Sequence, residues 1–144
     1  MPNGKADLEA LLPHAGAMCL LDAVVSWDAS GILCRTWSHR RTDNPLRCQQ
    51  GLSALQGVEY GGQAMALHGA LLAGSDGDLK VRGYLVAVRD LVLNVDWLDP
   101  LEGHMDVTAE LEIDTGRYVV HRFKIESEGD PLVSGRMTVV RPRG

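Results

Sequence analysis

The chain has no excess of positive charge, and that lack removes one class of function. Its 14 lysines and arginines face 19 acidic residues, a formal net charge of -5, whereas nucleic-acid binding needs a basic surface that displaces counterions from phosphates. Cysteine is scarce as well. Cys19, Cys34 and Cys48 are an odd number without paired metal-ligand spacing, which argues against a disulfide framework or a zinc site. They read as reduced thiols of a cytoplasmic protein. No apolar run approaches the length that spans a bilayer, and Lys5, Asp7 and Glu9 break the stretch a secretory leader would need. None of the five histidines lies in a metal-binding motif. Repeats, low-complexity segments and composition shifts at a domain boundary are absent from the sequence. The expectation is a single soluble cytoplasmic domain over residues 1–144, with no metal, cofactor, nucleic acid or membrane as partner.

What is present suffices for one core, since 45% of the 144 residues are apolar. Ala6 to Leu12 carries a short helical pattern, which Pro13 ends by disfavouring helical geometry before it. Ala17 to Trp27 suits a buried strand, Asp28, Ser30 and Gly31 supply turn chemistry, and Ile32 to Trp37 resumes the pattern as a first hairpin. Ser38 to Gly51 is polar, without apolar period, and contains Asn44-Pro45, so it is predicted to be a loop. Leu52 to Ala73 holds the one long helical pattern. The runs Val81 to Leu98, Met105 to Ile113, Tyr118 to Glu126 and Leu132 to Val140 follow as strands in the manner of an antiparallel meander. A hairpin, a helix and a meander make an α+β domain.

The helix is the most informative segment. Gly57, Gly61, Gly62 and Gly69 each cost about 1 kcal/mol of helix propensity relative to alanine, which close approach by surrounding backbone would explain. A helix small or apolar on most faces is expected to be buried. Glu59 is the acidic residue inside it, with Gln63 four residues on and therefore on the same face. A carboxylate held out of bulk water has its pKa raised and can donate a proton near neutrality; a buried glutamate satisfied by backbone donors fits the same pattern. His14, in LPHAGAM, has the ring chemistry of a general base, although lone histidines are more often structural. His39 lies in a basic loop, His68 on the helix, and His104 and His121 in sheet or turn regions. Arg35, Arg40, Arg41 and Arg47 cluster around the loop, where they are either solvated or able to meet a phosphopantetheine phosphate or an acidic carrier. Arg136, Arg141 and Arg143 form a weaker group of the same kind.

These segments resemble a known family, the hot-dog 3-hydroxyacyl-acyl-carrier-protein dehydratases, and in particular the short branch of aryl polyene pigment biosynthesis. LLPHAGAMCLLD resembles the family's opening segment, GVEYGGQAMALHG the start of its central helix, and RGYLVAVRDLVLNVDWLDPLEG, with Tyr84 and Asp90, its long strand and following turn. The resemblance implies a curled antiparallel sheet wrapped around one long central helix. It also implies dehydration of 3-hydroxyacyl thioesters on acyl carrier protein, in fatty-acid-like or aryl polyene synthesis, with Glu59 as the helix acid. His14 is the candidate base, Gln63, Asn44 and Tyr60 are candidate substrate-binding residues, and backbone NH groups around Ser53 to Leu55 are candidate donors to the enolate oxygen. The family's His-Phe-Pro-Gly segment is replaced here by Asp43-Asn44-Pro45-Leu46, and asparagine takes no proton at neutral pH. Three readings follow: a dehydratase using His14 or, less favoured, His39; a non-catalytic hot-dog subunit completing a heterodimer; and a thioesterase. Unpaired sheet edges add the expectation of a homodimer or a heterodimer with another hot-dog protein.

Overall fold

A computed structural model describes residues 8, 18–74 and 84–142. Strands β1 (Ala23–Asp28) and β2 (Gly31–Thr36) form the first hairpin. Its turn is an Asx turn: Asp28 Oδ1 accepts from Ser30 N at 2.8 Å, Ser30 Oγ at 2.6 Å and Gly31 N at 3.1 Å. Strand β1 begins later than expected, because the backbone NH of Leu20 is bonded to Gln63 of the helix. The expected helix from Ala6 to Leu12 lies outside the described residues except for Leu8, which is helical and fully buried.

The long helix α1 runs from Gly57 to Ala73, led in by a 3-10 turn over Ala54–Gln56. Ser53 caps that turn by accepting from Leu55 N at 3.2 Å, and Gly74 ends the helix with φ +65°. Tyr60, Ala64 and Leu67 sit on its buried face against the sheet. A Cβ on Gly61 would lie 2.7 Å from the Phe123 ring, and one on Gly135 would lie 3.0 Å from the same ring. Close approach therefore accounts for Gly61, and for Gly57 against Ile125 and Val133, but not for Gly62 or Gly69, which have nothing within 4 Å. The helix is more open than expected: Glu59, Ala66, Leu72 and Ala73 are exposed.

Strands β3 (Tyr84–Leu93), β4 (Met105–Asp114), β5 (Tyr118–Ser127) and β6 (Asp130–Val140) complete an antiparallel sheet of order β1-β2-β4-β5-β6-β3. The simple meander is overturned in one respect. Strands β4, β5 and β6 follow one another, but β3 pairs with β6 at the far edge. The crossing from β3 to β4 is held at the helix entrance, where Ala54 N donates to Asp96 O at 2.9 Å and Leu98 N to Leu52 O at 2.8 Å. Those bonds commit the segment to the helix start, so β3 cannot turn directly into β4. Inward positions of β4, β5 and β6 such as Val107, Phe123, Ile125 and Val133 meet the helix in one core. Burying each such side chain contributes about 1.5–3 kcal/mol. Helix and sheet together bear out the α+β class and the sheet-around-helix arrangement.

The two edges differ in character. Strand β1 has six residues and a bulge between Val24 and Ser26. Strand β3 has ten, and leaves Tyr84, Leu85, Val86, Val92 and Leu93 exposed. Among the described residues no strand lies beyond β3, and a long apolar edge of that kind invites a further strand.

Candidate functional site

Glu59 stands in the first turn of α1, where the helix dipole favours negative charge. Its side chain is exposed, which overturns the expectation that burial of the helix within the sheet holds this carboxylate out of bulk water. Two clefts of about 510 and 310 Å³ lie elsewhere, one over the outer sheet face at Arg122, Lys124 and Arg136, the other at Leu101, Glu102 and Leu132. Neither is lined by Glu59.

Near the first two turns of α1, Gln63, Tyr60, Asn44 and Ser38 are already paired. Gln63, one turn on from Glu59, is buried, and its amide clasps the incoming chain: Oε1 accepts from Leu20 N at 2.9 Å, while Nε2 donates to Met18 O at 2.6 Å. The two side chains thus share a helical side but not a cleft. Tyr60 is fully buried, with its hydroxyl 2.7 Å from Ser38 Oγ and accepting from Asn44 Nδ2 at 3.0 Å. Burial pushes the phenol pKa up, opposed by the bonds to Ser38 and Asn44. Asn44 Nδ2 also donates to Ser38 O at 2.9 Å, and its Oδ1 accepts from Leu46 N at 2.9 Å. Ser38 Oγ continues to Thr36 Oγ1 at 2.9 Å, which reaches Leu20 O at 2.5 Å. This chain of bonds fastens the loop to the first turn of α1. Sequence reasoning named Gln63, Tyr60 and Asn44 but missed Ser38 and Thr36, for which no local pattern gave a signal.

His14 lies outside the described residues. His39 is fully buried, its Nε2 donates to Leu101 O at 3.0 Å, and its Nδ1 has no partner. Burial holds its pKa below the usual histidine value. The basic residues of the loop are largely engaged: Arg35 pairs with Asp106 at 2.9 Å, Arg40 donates to Glu102 O at 2.8 Å, and Arg47 pairs with Asp99 at 3.4 Å. Arg41 Nε stands 3.7 Å from Asp43. Cys19 and Cys34 are buried free thiols and Cys48 an exposed one; burial pushes the Cys34 pKa up to about 12. Among the described residues no cluster of three or more His, Cys, Asp or Glu could hold a metal, and no helix is long and apolar enough to cross a membrane.

Residues 6–144 match the ApeP-like family, described as ApeP dehydratase. No curated protein matches the chain. Among solved structures, the dehydratase heterocomplex ApeI:P from Xenorhabdus doucetiae is similar with a TM-score of 0.83 and 20% identity, over 94% of this chain and 91% of that one. A thioesterase from Staphylococcus aureus gives 0.63 at 17% identity, over 84% of this chain and 93% of that one. One from Pseudomonas aeruginosa gives 0.59 at 14%, over 83% and 81%. These likenesses establish the hot-dog fold.

Proposed function

This chain belongs to the ApeP-like dehydratase family, and from that premise we propose that it removes water from 3-hydroxyacyl chains carried as thioesters, as one half of a two-chain site. What supports the reading is the exposed Glu59 in the first turn of α1 together with the apolar edge of β3, which no further described strand pairs. Gly57 packs against Val133, which pairs with Leu93 at the end of β3, so the start of α1 lies over β6, the strand next to that edge. A carboxyl group that is to donate a proton must be shielded from water. A second hot-dog chain joined along β3 supplies that shield and a wall for the acyl chain. The similar Xenorhabdus protein is a dehydratase heterocomplex, which supports such pairing.

In this reading a base removes the proton next to the thioester carbonyl, the carbon–carbon double bond forms, and the departing hydroxyl leaves as water with the proton of Glu59. His14 is the candidate base. Gln63 holds Met18 and Leu20 one helical turn from Glu59, and the four residues from His14 to Met18 span at most about 14 Å. That reach allows His14 to approach the carboxylate. Asn44 and Tyr60 act by fixing the loop and the first helical turn, which shape the substrate's entrance. The thioester arrives on the phosphopantetheine arm of an acyl carrier protein, and the reaction is cytoplasmic.

One observation favours a second reading, a non-catalytic subunit that completes another hot-dog dehydratase. Asn44, in the segment where the family's histidine is usual, has its side chain spent on Ser38, Tyr60 and Leu46. The experiment is to give the purified chain a 3-hydroxyacyl carrier thioester and follow the ultraviolet absorbance of the enoyl product, alone and with a second hot-dog protein. Turnover by this chain that drops about 10²–10⁴-fold in Glu59→Gln supports the dehydratase. Turnover only in the mixture, untouched by that substitution, supports the subunit. Release of free thiol overturns both in favour of hydrolysis.

A further inference from the structure

At the far end of α1 two histidines meet inside the core. His68 on α1 and His121 on β5 are 0% and 2% exposed, and their rings stand edge to face with centroids 5.1 Å apart. His68 Nδ1 lies 2.9 Å from His121 Nε2, and His68 Nε2 lies 2.8 Å from Asp28 O, the last residue of β1. A carbonyl only accepts, so Nε2 of His68 carries hydrogen. In the neutral pair the contact between the rings must then be His121 Nε2–H donating to His68 Nδ1. His121 Nδ1 is left bare, buried and without a partner. Its inward neighbours across the sheet are Leu111 on β4 and Met137 on β6, which offer it no oxygen.

Proton counting gives the consequence. A third proton can enter at His121 Nδ1 directly, or at His68 with His121 changing tautomer. Both routes end with an N–H at Nδ1 of His121, facing no acceptor. A buried unsatisfied donor of that kind costs about 1–3 kcal/mol, more when charged. The described charged groups near the pair are Asp28, Asp114 and Arg141. Asp28 spends its carboxylate on Ser30 and Gly31, and Asp114 is paired with Arg141 at 2.9 Å. Asp114 favours the charged ring and Arg141 opposes it.

We propose that the His68–His121 pair is an acid-sensitive latch that, when neutral, fastens the C-terminal half of α1 to β5 and to the β1–β2 turn, and that releases them when it takes up a proton. This goes beyond the dehydratase reading and is independent of Glu59. Burial, reinforced by His68, pushes the His121 pKa down to about 4, against about 6.5 for a free ring. The folded pKa is depressed, so the latch's stability is complete above about 6.5 and is lost as pH falls towards the folded value. In that window the unfolded chain holds one more proton, and the unfolding constant rises by up to about tenfold per pH unit.

The test compares denaturant unfolding of the protein and of His121→Gln, whose amide can still donate to His68 but cannot titrate, from pH 6.5 to 4. The variant is expected to have the shallower dependence, by up to that factor per pH unit; parallel dependences overturn the proposal. Should the variant not fold, nitrogen NMR of the unaltered protein decides. Resonances showing His121 Nδ1 bare and unprotonated at pH 5.5 support the latch, and titration of that ring near the free value overturns it. Amide exchange locates the release. Protection at Ser30, Gly31 and the last turn of α1, taken relative to the intrinsic exchange rate at each pH, should fall with acid before that of central β5, and a uniform fall overturns the local opening.

Discussion

The two ends of α1 treat their ionisable groups in opposite ways. At the start, Glu59 faces outward while the hydroxyls and amides around it bond to one another. At the end, His68 and His121 are sealed together and complete their contact within the chain. The closed end keeps its rings away from solvent, whereas the open end leaves a carboxylate facing it. On the proposed reading the work lies at the open end and structural tuning at the closed one.

Substitutions test this contrast in descending order of effect. Glu59→Gln should lower kcat/KM by about 10²–10⁴-fold in the assembled protein with unfolding unchanged; equal turnover removes the distinction between the ends. Tyr60→Phe leaves Ser38 and Asn44 short of a partner and should cost about 1–3 kcal/mol in denaturant unfolding. A loss confined to activity would mean that the hydroxyl meets substrate instead. Gly61→Ala puts a methyl against Phe123 and should destabilise by about 1–3 kcal/mol, while Gly62→Ala, on the open side, should stabilise the isolated chain by up to about 1 kcal/mol. Equal shifts would show that the helix has no open side. Val86→Lys, on the exposed edge, should change folding stability by less than about 0.5 kcal/mol yet abolish association in light scattering.

Much of the fold was legible because the signals were local. The hairpin turn is written in Asp28, Ser30 and Gly31, the helix in its apolar spacing, and the last three strands in their turns at Gly116 and Gly129, both at positive φ. The placement of β3 was not legible, since it depends on Ala54 and Leu52 bonding to a segment more than forty residues on. In the candidate site, Glu59 and Gln63 stood out by spacing, but spacing says nothing of depth. One proved exposed and the other buried. The histidine pair joins residues 53 apart, and neither ring gave any sign of the other in its own neighbourhood.

Phe123, the chain's one phenylalanine, is pinched between Gly61 and Gly135. Its ring is the spacer that sets how far the first turns of the helix stand from the sheet, with no slack on either side. A wider or thinner side chain there would tilt the whole helix like a shim under a beam. Through that one ring, the exposed carboxylate of Glu59 takes its elevation from the buried layer beneath the helix.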